Sequence, residues 1–304
     1  MDITFIKNFI SSQETSQEFK RLFHGRGGAY EGAKHLTIDS IDTVLFLSLY
    51  FLEDKEDALI AMLKEFVQDE TSRYKTLVVQ RRYLRNTPAE VVYGVLEDDV
   101  FAFEDGMKFK LNLHANQNIG FFADMKNGRA FVKQNAKDKN VLNLFSYTCS
   151  FSVAAKMGGA KSVVNVDMSK GALKVGMANH SINNLDPKGT SFLPYNILKS
   201  FGRLAKKGPY SLVIIDPPTF QKGSFAATSD YQKILQKLNQ LTTDDATVVT
   251  CLNAPELDTN FLKELMSTYA PEFCFEQRVP NPPEFVNSND EKALKVLIYK
   301  KNAV

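Results

Sequence analysis

Val141-Leu142-Asn143-Leu144-Phe145-Ser146-Tyr147-Thr148-Cys149-Ser150 is the stretch on which the fold turns. Val141 to Phe145 is a short apolar run of the kind a buried strand needs. It passes through a polar turn into a helix-compatible segment, Ser150 to Met157, that stops at Gly158-Gly159. Downstream, Ser162 to Val166 reads as a second buried strand and Ala172 to Asn183 as a second helix. Phe192 to Leu193 is a short strand candidate. Ser211 to Ile215 is a fully apolar strand, Tyr231 to Leu241 a helix, Thr247 to Thr250 a strand and Asn260 to Tyr269 a helix. Phe273 to Val279 and Leu294 to Tyr299 look like a closing antiparallel pair. Repeated strand–helix units imply a mostly parallel sheet covered by helices on both faces, an α/β architecture.

Upstream the pattern changes near residue 100. Lys34 to Phe51 and the short runs Thr76 to Arg82 and Glu90 to Val95 have strand character. Glu53 to Asp69 places Leu59, Ile60, Met62, Leu63 and Phe66 at helical spacing. The reading is therefore a small α+β accessory domain over residues 1–100 and a larger α/β domain over 101–304.

The gross numbers exclude several classes. No apolar run approaches the length of a membrane-spanning helix, and Met1-Asp2-Ile3-Thr4 lacks the basic start and apolar core of a signal peptide. Cys149, Cys251 and Cys274 are too widely spaced for a metal pattern and too few for a disulfide framework, which together point to a reducing cytoplasm. No metal, P-loop or hydrolase-triad pattern is present. A net charge of only +2 means that any nucleic-acid contact must come from local patches. Two segments qualify. Arg73-Tyr74-Lys75 through Arg81-Arg82-Tyr83-Leu84-Arg85 interleaves cations with aromatics. Phe19-Lys20-Arg21-Leu22-Phe23-His24-Gly25-Arg26-Gly27-Gly28 is basic and glycine-rich.

Ligands of parallel α/β sheets bind beyond the carboxyl ends of the strands, so the acids delivered there are the first candidates. Val163-Val164-Asn165-Val166-Asp167 ends a strand in a carboxylate about twenty residues after the first turn, a spacing suited to a ribose. Asp167 also fits the cap of the helix that follows. No glycine triad accompanies it, which disfavours a dinucleotide. Ile214-Ile215-Asp216-Pro217-Pro218-Thr219-Phe220 delivers a second acid with two prolines, whose fixed φ and missing N–H groups leave rigid carbonyl acceptors. Phe220 offers a ring on which a base can stack.

In combination these pieces resemble the bacterial 23S rRNA methyltransferase family that includes guanine-N7 and cytosine-C5 enzymes. The carriers are Asn118-Ile119-Gly120-Phe121-Phe122-Ala123-Asp124-Met125-Lys126-Asn127-Gly128-Arg129, Leu142 to Thr148, Asp167, Asp216-Pro217-Pro218-Thr219-Phe220 and Leu294-Lys295-Val296-Leu297. The resemblance implies a Rossmann-like class I methyltransferase sheet, S-adenosylmethionine as cofactor, and an RNA partner, 23S rRNA or a ribosomal precursor. Carried over by position, Asn143, Phe145, Ser146, Tyr147 and Thr148 belong to the cofactor side, with the last four at its methionine half. Asp167 takes the ribose, and Asp124 and Arg129 form part of the pocket. Asn196 stands where the family has an Asp at the adenine amino group. Asp216, Pro217, Pro218 and Phe220 face the methyl group and the target base. Cys149 stands where the family commonly has glycine, so either the loop bends differently or cofactor affinity is altered.

Guanine N7 is already a lone-pair nucleophile, whereas cytosine C5 needs a thiolate adding at C6. Cys251 lies about one residue from the position of such a cysteine, with Leu252 nearer to it, so ring-nitrogen methylation is favoured. The competing readings are a catalytically silent cofactor- or RNA-binding module, and a methyltransferase of a protein amide or a small molecule.

Overall fold

The computed structural model describes residues 2–114, 118–221 and 225–302, apart from the side chains of Phe220 and Gln221. The chain forms two compact units, Met1–Ala123 with Pro282–Asn289, and Asp124–Asn281 with Asp290–Val304. The division falls at Ala123/Asp124, past the change of sequence pattern near residue 100, because the β-hairpin of residues 100–111 packs with the first unit, and a short late segment returns to that unit.

The first unit opens with a helix unforeseen in the sequence pattern, α1 (Ile3–Ser11), whose Asp2 side chain caps Phe5 N–H and whose Ile6 and Ile10 are buried. There follow β1 (Lys20–His24), β2 (Leu36–Ile41), β3 (Val44–Leu49), α2 (Glu56–Gln68), β4 (Thr76–Arg81) and β5 (Ala89–Tyr93), with the five strands in sequential order in one sheet. β3 and β4 are parallel and joined through α2; the other pairs are antiparallel. Every residue of β2 and β3 is buried, so the middle of this sheet is covered on both faces while its edge strands are partly exposed. A separate hairpin, β6 (Val100–Glu104) and β7 (Met107–Leu111), completes the unit.

The second unit runs α3 (Lys126–Asn135), β8 (Asn140–Leu144), α4 (Ser150–Met157), β9 (Ser162–Val166), α5 (Lys170–Ile182), β10 (Thr190–Leu193), α6 (Phe201–Ala205) and β11 (Tyr210–Ile215). It continues with the short pair β12 (Phe220–Gln221) and β13 (Phe225–Ala226), then α7 (Ala227–Leu235), α8 (Leu238–Leu241), β14 (Thr242–Leu252), α9 (Thr259–Tyr269), β15 (Phe273–Val279) and β16 (Lys295–Lys301). The helix expected over Tyr231 to Leu241 is thus two helices, and the strand expected at Thr247 begins at Thr242.

The seven-stranded sheet has the order β10-β9-β8-β11-β14-β16-β15. Its first five strands are parallel, and β16 inserts antiparallel between β14 and β15. Alternate residues of the central strands feed two cores: Leu142, Leu144, Val213 and Ile215 on one face, Val141, Leu212, Ile214 and Val249 on the other. Burial on both faces explains why these strands read as continuous apolar runs rather than alternating ones. From β8 the chain winds out to β10, then returns to β11 on the other side of β8. The winding direction therefore reverses between β8 and β11, which is where open α/β sheets form their ligand crevice.

Candidate active site

Register sets the site. Leu193, Val166, Leu144, Ile215 and Thr250 pair across the five parallel strands as one row. Asp167, Phe145 and Asp216, which follow them, therefore leave the sheet along a common rim, and Cys251, still within β14, follows Thr250 at the same level. The loops after β8 and β11 also touch, through the edge-to-face contact of Phe145 with Phe225 at 4.9 Å.

The loop after β8 is held at almost every step. Ser146 N–H donates to Val166 O (3.0 Å), Cys149 N–H to Ser146 O (2.7 Å), and the Asn179 amide to Thr148 O (2.9 Å). Tyr147 N–H donates to one oxygen of the Asp167 carboxylate (2.9 Å), and Ser169 N–H donates to the other (2.8 Å). Asp167 is thus oriented by two backbone donors. It does not cap α5, because Ser169 does so through Ala172 N–H. Ser146 and Thr148 are buried, Phe145 and Tyr147 half-buried.

Phe145, Tyr147 and Cys149 all have left-handed backbones, with φ of 56°, 46° and 63°. The loop therefore keeps the positive φ that a glycine at 149 would adopt freely, at a cost of roughly 1–2 kcal/mol for a residue with a Cβ. The Cys149 side chain finds room because residue 176 on α5 has none: a Cβ there would lie 2.5 Å from Cys149 Sγ.

Asn143, expected at the cofactor, lies beneath the loop. It is buried, and its amide donates to Asn165 Oδ1 (3.0 Å). The Asn165 amide donates to Ser152 Oγ (2.9 Å), which meets His180 Nε2 (2.9 Å), and His180 Nδ1 reaches Gly176 O (2.8 Å). Burial holds His180 below its usual pKa, so the ring is neutral and the chain of donors and acceptors is consistent. Past β10, Asn196 presents a buried Oδ1 without a partner among the described residues, an unusual state that calls for a donor from elsewhere.

On the β11 side, the carboxyl of Asp216 is pushed up to about 7. Burial is the main cause, Asp124 adds to it, and the Arg129 guanidinium opposes it. Arg129 on α3 is wholly buried, and Asp124 sits half-buried on the turn Ala123–Met125 before that helix. Asp124, Arg129 and Asp216 therefore share one electrostatic environment. Pro217 is buried and Pro218 half-buried. Thr219 Oγ1 donates to Asn253 O (2.6 Å), and Ala227 N–H donates to Thr219 O (3.0 Å). The Phe220 backbone pairs with Ala226; its side chain, expected to stack on a base, lies outside the described residues.

Two further supports escaped the sequence reading. The Tyr231 hydroxyl lies 3.2 Å from Ile215 O and 3.3 Å from Cys251 O, tying the ends of β11 and β14 together. Lys295 is wholly buried, and its ammonium donates to Ala254 O (3.0 Å), Glu291 O (2.7 Å) and Ala293 O (2.9 Å). It thereby fixes the 253–254 loop on which Thr219 rests.

The cysteines offer no exposed thiolate at this rim. Cys251 is buried, and desolvation followed by Asp216 and Asp124 pushes its thiol well above the usual range. Burial pushes Cys149 up to about 12. Cys274 is exposed on β15, where Sγ accepts from the Asn302 amide (3.2 Å). Among the described residues no cluster of His, Cys, Asp and Glu could hold a metal ion, and no helix is long and apolar enough to cross a membrane.

Residues 20–300 match the family model described as S-adenosylmethionine-dependent methyltransferase. The chain belongs to that family. It is 31% identical over 252 residues to a candidate ribosomal RNA large subunit methyltransferase, YwbD, of Bacillus subtilis (strain 168), covering 77% of this chain and 60% of that protein. It is 37% identical over 151 residues to ribosomal RNA large subunit methyltransferase K/L of Pseudoalteromonas translucida (strain TAC 125), covering 48% of this chain and 21% of the relative. The chain thus spans less than two thirds of the length of either relative. The crystal structure of SMU.776, a candidate methyltransferase complexed with SAH, has the same fold, with a TM-score of 0.87 at 24% identity over 99% of this chain and 82% of the other.

Proposed function

We propose that this chain transfers the methyl group of S-adenosylmethionine to a ring nitrogen of an RNA base, guanine N7, in large-subunit ribosomal RNA. The observation that carries the reading is the shared rim at the switch between β8 and β11: the oriented Asp167 follows β9 and the Asp216-Pro217-Pro218-Thr219 loop follows β11, the two strands that flank β8.

The residues present fit the cofactor. Asp167 keeps free lone pairs on both oriented oxygens, which suits two ribose hydroxyls. Asn196 Oδ1 lacks a donor, and an adenine amino group supplies one. Phe145, Ser146, Tyr147 and Thr148 line the methionine side, where their fixed backbone sets the approach. Asn143 serves as support beneath them. The cofactor supplies an electrophilic methyl on a sulfonium, with a neutral thioether as leaving group.

The remaining work is alignment and charge. A ring nitrogen gains positive charge as it is methylated, and an ionised Asp216 standing over it stabilises that charge. Burial and Asp124, opposed by Arg129, keep Asp216 titratable near neutrality. Pro217 and Pro218 stiffen the loop, and Phe220 provides the stacking face. The raised thiol of Cys251 favours nitrogen over carbon, because carbon methylation needs the thiolate. The first unit serves as the RNA-binding accessory.

Incubation with methyl-labelled cofactor and protein-free large-subunit rRNA, followed by mass spectrometry of the nucleosides, tests this. The expected product is 7-methylguanosine, with activity of Cys251→Ser within about threefold of wild type. Appearance of 5-methylcytidine, abolished by Cys251→Ser, overturns the nitrogen assignment. Methyl acceptance by a lysate that survives nuclease treatment overturns RNA as substrate.

A further inference from the structure

The two basic segments of the first unit are not equivalent in the structure. Arg21 forks onto the buried Asp39. Arg73 lies 3.5 Å from Asp42. Arg81 is 2.6 Å from Glu56 and 2.8 Å from Glu90. These cations are committed to carboxylates of their own unit. Arg26 and Arg82 are different: neither meets a carboxylate among the described residues, and both guanidiniums lie over the ring of Tyr50, at 4.0 and 4.9 Å from its centroid. Two like charges are therefore gathered within about 9 Å of each other with only a ring quadrupole to offset them.

The backbone makes this arrangement rigid. Arg26 sits between Gly25 and Gly27 in a single 3₁₀ turn. A Cβ at Gly25 would lie 1.9 Å from Ala33 O, and one at Gly27 would lie 1.8 Å from Val286 O. Both flanks of Arg26 are thus pressed against backbone, and its exposed side chain is carried on a turn that cannot retreat. Tyr50 N–H donates to His35 O, and Arg82 N–H donates to Leu49 O, each at 2.7 Å. Lys34, exposed on the same loop, brings its ammonium to 3.7 Å from the Cβ position of Gly28. The neighbouring Phe51 is 44% exposed, leaving a ring edge available for a base.

Uncompensated guanidiniums on a fixed platform suit an anion that offers a fork of two acceptor oxygens, as the non-bridging pair of a phosphodiester does. We propose that Arg26, Tyr50 and Arg82 form a clamp for the phosphodiester backbone of the RNA substrate, positioning the strand without reading its sequence. The proposal rests on the RNA reading above. Phosphate contacts fix register and orientation while base contacts specify, so the clamp supplies affinity that the base pocket need not.

The salt dependence of binding tests it, with anisotropy of a short fluorescein-labelled single-stranded RNA of mixed sequence measured over a potassium chloride series. Each lost phosphate contact lowers the slope of log K against log salt by about 0.7. The variant R26A/R82A is expected to lose about 1 to 1.5 from that slope, and R26K/R82K to keep it. Both are expected to bind S-adenosylhomocysteine as wild type does by calorimetry, which shows that the second unit is intact. An unchanged slope in R26A/R82A, with wild-type chain that binds and methylates RNA, overturns the clamp alone. Wild-type chain that neither binds nor methylates RNA overturns the RNA reading with it. Displacement of the RNA by polyglutamate as readily as by unlabelled RNA overturns the clamp in favour of an acidic protein partner.

Discussion

After β8 the chain passes through three left-handed residues and is fastened at each stage by its own backbone, by Asp167 and by Asn179. After β11, one strand away, the loop carries two prolines and a carboxyl that titrates near neutrality, and it is steadied from outside by Asn253, Tyr231 and the buried Lys295. The first loop is set before any ligand arrives, with strain spent on shape. The second has its shape from its neighbours and keeps its charge adjustable. Strain of this kind concentrates at binding sites because the surroundings over-determine it. An undecided carboxyl suits a partner whose own charge changes during reaction.

The largest expected effect separates the two loops. Asp167→Ala removes the acceptor for two backbone N–H groups and, on the proposed function, for a ribose. It is expected to weaken S-adenosylhomocysteine binding about 100-fold or more by calorimetry, since hydrogen bonds to charged groups contribute about 1.5–3 kcal/mol each. Asp216→Asn is expected to change that affinity by less than about fivefold while lowering the methyl-transfer rate about 100-fold. Comparable effects of the two substitutions on cofactor binding would erase the distinction.

The strain in the first loop can be measured. Gly176→Ala forces a methyl into Cys149 Sγ and is expected to cost about 1–3 kcal/mol in urea unfolding. Cys149→Gly in the same chain is expected to recover most of this. Additive behaviour of the pair would show that the two positions do not share the space.

The charge in the second loop gives the smallest effect. The Asp216 carboxyl stands at about 7 against an ordinary value of 3.8. Between those values the folded chain holds a proton that the unfolded chain has released. Stability contributed by the group is therefore full at low pH, falls as pH rises toward about 7 and is flat above it. Solvent screening at the half-buried Asp216 discounts the shift, and the decline is expected to be about 1 kcal/mol or more, read from urea midpoints across pH and absent in Asp216→Asn.

The parts of this site that could be read from sequence are those governed by local pattern. Buried parallel strands read as apolar runs, so β8, β9 and β11 are visible, and with them Asp167 and Asp216 at their ends. The capping alternative for Asp167 could not be resolved there, because Ser169 is an equally good cap two residues on. α1 was legible in principle, since Asp2 and the spacing of Ile6 and Ile10 are its signature. What stayed hidden depends on contacts across the chain. Asn143 looked like a cofactor residue until Asn165 claimed its amide. Gly176 gains meaning only from Cys149. Lys295 sits in an apolar run where nothing local announces three carbonyl partners. The return of Pro282–Asn289 to the first unit has no local pattern either.

The insertion of β16 between β14 and β15 has a consequence for synthesis. As the polypeptide emerges, β15 appears before β16, its one sheet neighbour among the described residues, has been made. Translation must carry on through a further stretch before Lys295, the first residue of β16, arrives to bind the carbonyls of the 254 and 291–293 turns. A nascent molecule can thus complete the turns after β8 and β9 before the support beneath Thr219 is in place.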